Sequence, residues 1–334
     1  MVPRMMMEQV VEEDAKEAAT QVLTRGLVRK VVTPNGIRCE ITDAGWQFVR
    51  EYEEITAELG GDSSKLVAGS IGVPTTGSGL LSASLQQRPE LLEFSSDPAG
   101  LHLLYEVMKP EIGVVVPTLN EVNTIGNVLR EIPKHVQYPS KVLVIDASDD
   151  ETSLVARKYG AKVVRQRGQG KGNALRQAFC ALGSDIVVMM DGDGCMQAEE
   201  IPRFVKAIVS GADMAKGSRF LKNGGSQDLS FIRKVGNLLF VTLVNLAWSG
   251  KYTDLCYGFL AFRREALEKL KPYLTSSHFQ IETEICIRAN KLGLKVVEVP
   301  SVELKRPHGE SKLSGMHSSL QILQVIVHEF VSRA

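Results

Sequence analysis

The chain has 334 residues, 44% of them hydrophobic, 23% charged and 6% aromatic, and its 39 Lys/Arg balance 39 Asp/Glu. Such a composition buries a real core, which excludes long-range disorder, and zero formal charge leaves no basic excess of the kind that coats nucleic acid. Five cysteines, at 39, 180, 195, 256 and 286, form no CxxC pair; they fit neither a disulfide framework nor a zinc knuckle and suit a reducing, cytoplasmic compartment.

The N-terminus, Met-Val-Pro-Arg and three more methionines, carries no apolar run of signal-peptide length. Residues 1–60 are acidic, with 7 Lys/Arg against 11 Asp/Glu, a net of −4. Leu23–Lys30 precedes a hairpin over Val31–Ile41 that turns at Pro34-Asn35-Gly36, and Thr42-Asp43 opens a helix through Trp46, Phe48, Val49 and Tyr52. This segment is similar to the second half of a winged-helix domain. DNA affinity rests on phosphate neutralisation, which an acidic segment does not supply. Self-association or packing is therefore the expected role, and nucleic acid is not an expected partner.

Residues 61–109 form a connecting segment that shares the Gly/Ser-rich stretch Gly60–Ser84. A third zone, 110–334, alternates apolar runs and amphipathic helices. Strands are expected at Ile112–Val116, Val142–Ile145, Ala161–Val164 and Ile186–Met190. Helices are expected between them, the first marked by Val122, Ile125, Val128, Leu129 and Ile132, the last spanning Gly172–Ala181. Strand and helix at this pitch mean parallel βαβ units in an α/β sheet, whose ligands bind beyond the carboxyl ends of the strands.

Those ends carry the polar residues. The first strand runs into Pro117-Thr118-Leu119-Asn120-Glu121, the second into Asp146-Ala147-Ser148-Asp149-Asp150, the fourth into Asp191-Gly192-Asp193-Gly194. Two carboxylates one residue apart in a Gly-flanked turn can both reach a hard divalent cation, and that cation can hold a diphosphate. A lone Asp-x-Asp is as readily a solvated turn. The EF-hand is excluded by the missing central Gly and closing Glu. Gly168-Gln169-Gly170-Lys171-Gly172 lacks the spacing of a P-loop and the last Gly of a dinucleotide fingerprint.

Val-Val-Pro-Thr-Leu-Asn-Glu, Asp-x-Ser-x-Asp-x-Thr, Gly-Lys-Gly-Asn-Ala and Asp-Gly-Asp-Gly stand here in an order that resembles family 2 glycosyltransferases of the GT-A fold. Gly217-Ser218-Arg219-Phe220, Asp254-Leu255-Cys256-Tyr257-Gly258-Phe259 and Arg306-Pro307-His308-Gly309-Glu310-Ser311-Lys312-Leu313 continue the likeness. The last string is similar to a motif of dolichyl-phosphate mannose synthases and other polyprenyl-phosphate hexosyltransferases. The resemblance covers about residues 111–315 and implies a GT-A (Rossmann-like) mixed sheet with helices on both faces.

The resemblance also implies roles. Pro117, Thr118, Glu121 and Asp146 would line the base and ribose pocket, with Lys171 at its rim. Asp191 and Asp193 would hold Mg²⁺ or Mn²⁺ against the nucleotide-sugar diphosphate. Arg219, Arg233, Arg306, Ser311 and Lys312 would meet the acceptor phosphate, with Arg219 and Arg306 preferred because a guanidinium fork suits phosphate oxygens. Cys195 stands where these enzymes usually carry a further Gln ligand, and Ile145 where the base motif has its first acid.

An alcohol acceptor would need a general base, for which Asp254, Glu282 and Glu284 are the candidates. Glu282 and Glu284 do not share a helical face, so one of them is expected to hold a loop. A polyprenyl phosphate is already anionic and needs positioning instead. Gly236–Trp248 is too short an apolar stretch to cross a bilayer, but with Arg233, Lys234 and Lys251 beside it, it suits the headgroup layer. Leu320, Leu323, Ile326, Val327 and Phe330 mark one face of a last helix. The expected protein is a metal-dependent, inverting hexosyltransferase, peripheral on the cytoplasmic membrane face. The alternatives are a soluble alcohol or glycan acceptor, and a nucleotide-sugar-sensing regulator.

Overall fold

The computed structural model describes residues 18, 20–33, 36–58, 104–106, 108–309 and 315–332. The chain divides into two compact units, Met1–Pro110 and Glu111–Ala334.

In the first unit, strands β1 (Val28–Thr33) and β2 (Gly36–Ile41) pair antiparallel, with Thr33 opposite Gly36. The expected turn residues Pro34 and Asn35 lie outside the described residues. The hairpin begins at Val28, three residues earlier than the sequence suggests, because Val28-Arg29-Lys30 pairs with Cys39-Glu40-Ile41. Helix α1 (Asp43–Glu58) starts at Thr42, whose hydroxyl accepts from the Gly45 N–H at 3.2 Å and donates to the Leu27 carbonyl at 3.0 Å. Trp46, Phe48, Val49, Tyr52 and Ile55 are buried, and Tyr52 stacks on Tyr105 with ring centroids 4.2 Å apart. A hairpin followed by a helix occurs in many small folds, so the winged-helix likeness of this unit rests on sequence alone.

The second unit is built on a seven-stranded mixed sheet. Its first half alternates strand and helix: β3 (Ile112–Thr118), α2 (Ile125–His135), β4 (Ser140–Asp146), α3 (Thr152–Lys158), β5 (Lys162–Arg165), α4 (Lys171–Ala181) and β6 (Ile186–Met189). All seven elements stand where apolar periodicity places them. The second half adds α5 (Ile201–Val209), β7 (Met214–Ser218), the short β8 (Gly225–Ser226), α6 (Phe231–Trp248), β9 (Leu260–Arg263), α7 (Arg264–Leu270), α8 (Ile281–Lys291), β10 (Val296–Pro300), β11 (Val302–Glu303) and α9 (Gly315–Val331).

The strand order is β10-β7-β9-β6-β3-β4-β5. Every pairing is parallel except those of β9, which runs antiparallel between β6 and β7. The chain enters at β3, steps outward to β4 and β5, then returns to place β6 on the other side of β3. That reversal opens a crevice beyond the ends of β3, β4 and β6. Strands β3 and β6 are apolar and buried, as strands covered on both faces must be. Phe179, Phe262, Leu260 and Ile285 belong to the core that covers one face.

Helix α6 begins five residues earlier than the apolar stretch read from the sequence. At 18 residues it is long and apolar enough to cross a membrane by length and composition alone. One side packs inward through Asn237, Phe240, Val241 and Val244, while Phe231, Ile232 and Leu246 are about four-fifths exposed. Helix α9 lies against it, Trp248 meeting Phe330 edge-on at 6.3 Å, and Leu320, Val327 and Phe330 are also exposed. The two helices thus present a shared apolar ridge.

Candidate active site

Strands β3 and β4 deliver Thr118 and Asp146 side by side, opposite each other in register. Asp146 has no accessible surface. Thr118 Oγ1 and Ser148 Oγ both donate to its Oδ1 at 2.6 Å, and Ser153 Oγ donates to Oδ2 at 2.5 Å. Burial works to raise the Asp146 pKa, but the hydrogen bonds from Ser148, Ser153 and Thr118 outweigh it and hold the carboxyl below its ordinary range. The loops after the two strands are stitched together, the Asn120 N–H donating to Ser148 Oγ and the Glu121 N–H to Thr152 Oγ1.

Across β3, the loop after β6 carries Asp191 and Asp193. Thr124 Oγ1 donates to the Gly192 carbonyl at 2.8 Å, which ties this loop to the start of α2. A Cβ at Gly192 would stand 2.8 Å from Thr118 Cγ2, so a bare glycine lets the two strand ends close up. Lys171, first residue of α4, places Nζ 2.5 Å from Asp191 Oδ1 and 2.7 Å from Glu282 Oε1. Burial would lower the Lys171 pKa, but the two carboxylates raise it above the ordinary lysine value. Gly258 forms the roof of this cluster, its hypothetical Cβ only 2.5 Å from Glu282 Oε1.

Arg306 reaches the same loop, with Nη2 2.6 Å from Asp193 Oδ2 and Nη1 3.9 Å from Glu121 Oε1. Its segment is anchored by the Leu304 N–H donating to the Cys195 carbonyl and by Gln197 Nε2 donating to the Val302 carbonyl. Arg306 thus faces Asp193 and Glu121, while Lys171 faces Asp191 and Glu282. Lys171 stands between the metal motif and α8, deeper than the pocket rim the resemblance implies, with 8% of its side chain exposed.

Arg219 and Asp254 form a fully desolvated fork. Arg219 Nε donates to Asp254 Oδ2 at 2.7 Å and Nη2 to Oδ1 at 3.0 Å, while Nη1 donates to Glu303 Oε2 at 3.1 Å. The guanidinium also lies over the Tyr257 ring, 4.8 Å from its centroid. Burial pushes the Asp254 pKa up, but Lys216 and Arg219 beside it prevail and hold the carboxyl below its ordinary range. Asp254 has no accessible surface, whereas a general base has to reach its proton donor. Of the other two candidate bases, Glu282 faces Lys171. Glu284 is the one that holds a loop, accepting from the Thr275 and Ser276 N–H groups.

Three supporting residues escape sequence reasoning. Lys216, wholly buried in β7, donates from Nζ to the Tyr257 carbonyl at 2.8 Å and the Gly217 carbonyl at 2.9 Å. Glu298 on β10 accepts from the Thr253 and Asp254 N–H groups, and Glu200 from the Val302 N–H. A lysine inside a run of small strand residues is the one available signal; the two glutamates have none. Arg233 sits in the first turn of α6, where Ser230 caps the helix. Ser311 and Lys312 lie outside the described residues.

A divalent ion would find hard oxygen donors in Asp191 and Asp193, both already facing cationic partners at 2.5 and 2.6 Å. Among the described residues no group of three or more His, Cys, Asp or Glu side chains converges as a complete protein cage. Magnesium-type sites characteristically use one or two carboxylates plus substrate phosphates, so this donor set fits. Cys195 is a poor donor for a hard cation, and burial, with Asp193 adjacent, pushes its thiol pKa up.

Comparison with known proteins agrees with this architecture. The model of "Glycosyl transferase family 2" matches residues 113–271. A dolichyl-phosphate hexose transferase of Haloferax volcanii is 31% identical over 217 residues, covering 65% of this chain and 92% of the relative. A dolichol-phosphate mannosyltransferase of Pyrococcus furiosus is 32% identical, covering 61% of this chain and 60% of the relative. Glucosyl-3-phosphoglycerate synthase from Mycobacterium tuberculosis, solved with Mn²⁺, uridine diphosphate and glucosyl-3-phosphoglycerate, superposes with a TM-score of 0.52 at 24% identity over 66% of this chain and 80% of that one. At that identity the structural likeness speaks for the GT-A-like fold. With the crevice, its paired acids and these relatives in view, the chain belongs to the family 2 glycosyltransferases.

Proposed function

We propose that the protein transfers a hexose from a nucleotide-sugar to a polyprenyl (dolichyl-type) phosphate, with inversion at the anomeric carbon. The observation that carries this reading is the charge arrangement at one sheet edge. Asp191 and Asp193 stand beside Lys171 and Arg306, so a divalent ion on the two acids, together with the two cations, could share a diphosphate and a second phosphate there. Bound Mg²⁺ or Mn²⁺ on Asp191 and Asp193 would neutralise the diphosphate leaving group. Pro117, Thr118, Glu121 and Asp146 frame the nucleoside side of the crevice.

Arg306 offers its fork to phosphate, and Arg219 orders the loop beside it from its fixed pairing with Asp254 and Glu303. Ser311 and Lys312 extend the acceptor motif in sequence. A phosphate oxygen is already ionised, which removes the need for a base and suits the burial of Asp254. The ridge of α6 and α9 would rest peripherally in the headgroup layer of the cytoplasmic membrane face, bringing a lipid-borne acceptor to the crevice.

The test incubates the purified full-length protein with labelled GDP-mannose, UDP-glucose or UDP-N-acetylglucosamine, Mg²⁺ or Mn²⁺, and a polyprenyl phosphate. Label entering the organic phase with one donor supports the reading and identifies the sugar. Metal-dependent donor binding without organic label points to a soluble acceptor. No donor binding at all, together with salt-sensitive DNA binding by the first unit, would replace it with the regulator.

A further inference from the structure

Among the described residues, Lys171 is the only ion-pair partner of both Asp191 and Glu282. Its one ammonium is shared between them, 2.5 Å from Asp191 Oδ1 and 2.7 Å from Glu282 Oε1. The sharing is built from the backbone up. Lys171 stands between Gly170 and Gly172, and a Cβ at these positions would lie 2.5 Å from the Ser277 carbonyl oxygen and 2.2 Å from that of Ser276. Two bare glycines therefore let the start of α4 press directly on the loop that enters α8. The Asn173 N–H secures that contact by donating to the Ser277 carbonyl at 3.1 Å. Glu282, in the first turn of α8, is thereby brought to Lys171. A Cβ at Gly258 would also stand 2.6 Å from Lys171 Nζ, so the pair is enclosed from that side as well.

The charges of this cluster do not cancel. Glu121, Asp191, Asp193 and Glu282 set four negative charges against the two positive ones of Lys171 and Arg306, a net of −2. Glu282 differs from the other three acids, because it touches the cluster only through Lys171. An ammonium and a divalent cation compete for the same carboxylate oxygens. With 8% of its side chain exposed, Lys171 must keep a carboxylate partner. A lysine held by a second acid can give up part of its claim on Asp191. A lysine with Asp191 alone would close on it.

We infer that Glu282 is a positioning residue that sets the affinity of Asp191 for a divalent ion without ligating the ion itself. It acts through Lys171, by holding the ammonium away from full possession of Asp191. The same hold keeps a positive charge at the crevice, where a diphosphate can use it. This inference rests on the proposed placement of the metal on Asp191 and Asp193, and it gives the buried Glu282 a task other than that of a general base.

The experiment reads Mn²⁺ affinity without any donor, from the loss of the free-ion electron paramagnetic resonance signal as chelator-stripped full-length protein is titrated. Glu282→Gln leaves Lys171 to Asp191 and should weaken Mn²⁺ binding about tenfold, mid-range for partners in one ion-pair network. Loss of any nearby negative charge acts in the same direction, so the deciding variant is the double substitution Lys171→Met, Glu282→Gln. It keeps the net charge of the parent and strands neither member of the pair, which favours folding. With the competing ammonium gone, it should bind Mn²⁺ about tenfold more tightly than the parent. Charges acting only at a distance would cancel and leave the affinity unchanged. The inference is overturned if the double variant binds Mn²⁺ no more tightly than the parent, or if Glu282→Gln binds it as the parent does. Absence of Mn²⁺ binding by all three proteins, even with uridine or guanosine diphosphate added, would instead overturn the placement of the metal, and this inference with it.

Discussion

Asp146 and Asp191 follow strands on either side of β3, yet they are held by opposite means. Asp146 is wrapped by the hydroxyls of Thr118, Ser148 and Ser153 with no accessible surface, and is fixed before any ligand arrives. Asp191 keeps 27% of its side chain exposed and leans on the Lys171 ammonium. The hydroxyl-held half of the edge is a preformed wall whose one buried carboxylate is held mainly by neutral donors, with Arg165 standing 4.0 Å away. The cation-held half concentrates charge of both signs, which suits phosphates and a metal. Burial explains why the two solutions differ: three hydroxyls carry most of the stabilisation of a fully buried carboxylate, with Arg165 only at 4.0 Å, whereas a close ion pair suffices for a partly exposed one.

Breaking the cation-held half should cost most. Arg219→Met leaves Asp254 buried without its fork, and loss of one partner of such a pair costs about 3–5 kcal/mol, read as a drop in the denaturant midpoint at constant slope. A loss of about 1 kcal/mol or less would mean that this half is held no more firmly than an exposed pair. Asp193→Asn keeps the shape of the loop and the acceptor for the Cys195 N–H but removes the charge facing Arg306. We expect kcat/KM to fall about 10²–10³-fold, the scale of losing one electrostatic contact at a developing charge, with metal-dependent donor binding lost in calorimetry. Unchanged turnover would take Asp193 out of the reaction.

The hydroxyl-held half should yield less. Thr118→Val removes one hydrogen bond to a buried carboxylate, worth about 1.5–3 kcal/mol. The sign of its pH dependence follows from the depressed pKa of Asp146. Its contribution to stability is complete above the unfolded carboxyl value, about 4, and is lost as pH falls through the lower folded value. Losing the Thr118 hydroxyl moves the folded value up, so urea midpoints of the variant and the parent should converge on acidification. Parallel curves down to the acid transition would show that Thr118 does not hold the charge.

Much of this edge is legible in the sequence because it depends on local pattern. Apolar runs that stop at Thr118, Asp146 and Met190 mark strand ends, and the acids just beyond them have nowhere else to go. What is not legible is who meets whom. Asp254 finds Arg219 across 35 positions, and Lys171 finds Glu282 across 111. The first pairing follows from β9 running antiparallel beside β7, an insertion that no run of apolar residues announces, and the second joins the starts of α4 and α8. Lys216 shows the same limit: its burial is tolerable only because the carbonyls of Gly217 and Tyr257 converge on it, and Tyr257 is 41 residues away. Sequence periodicity finds the faces of elements, while pairing between the polar ends of those elements is a property of topology.

The smallest expected change lies outside both halves and tests whether the ridge is separate from them. Ile232 is 81% exposed at the start of α6, so Ile232→Ser removes almost no buried surface, and its effect on unfolding should stay within about 0.5 kcal/mol. Donor binding should be unaltered, because neither the hydroxyl-held nor the cation-held acids are touched. Co-sedimentation with vesicles containing anionic lipid should weaken, since the apolar side chain and the nearby Lys234 would act at one surface. A variant that loses donor affinity together with vesicle binding would join the ridge to the crevice. Unchanged co-sedimentation would remove Ile232 from membrane contact and leave α6 as a helix whose outer face serves another partner.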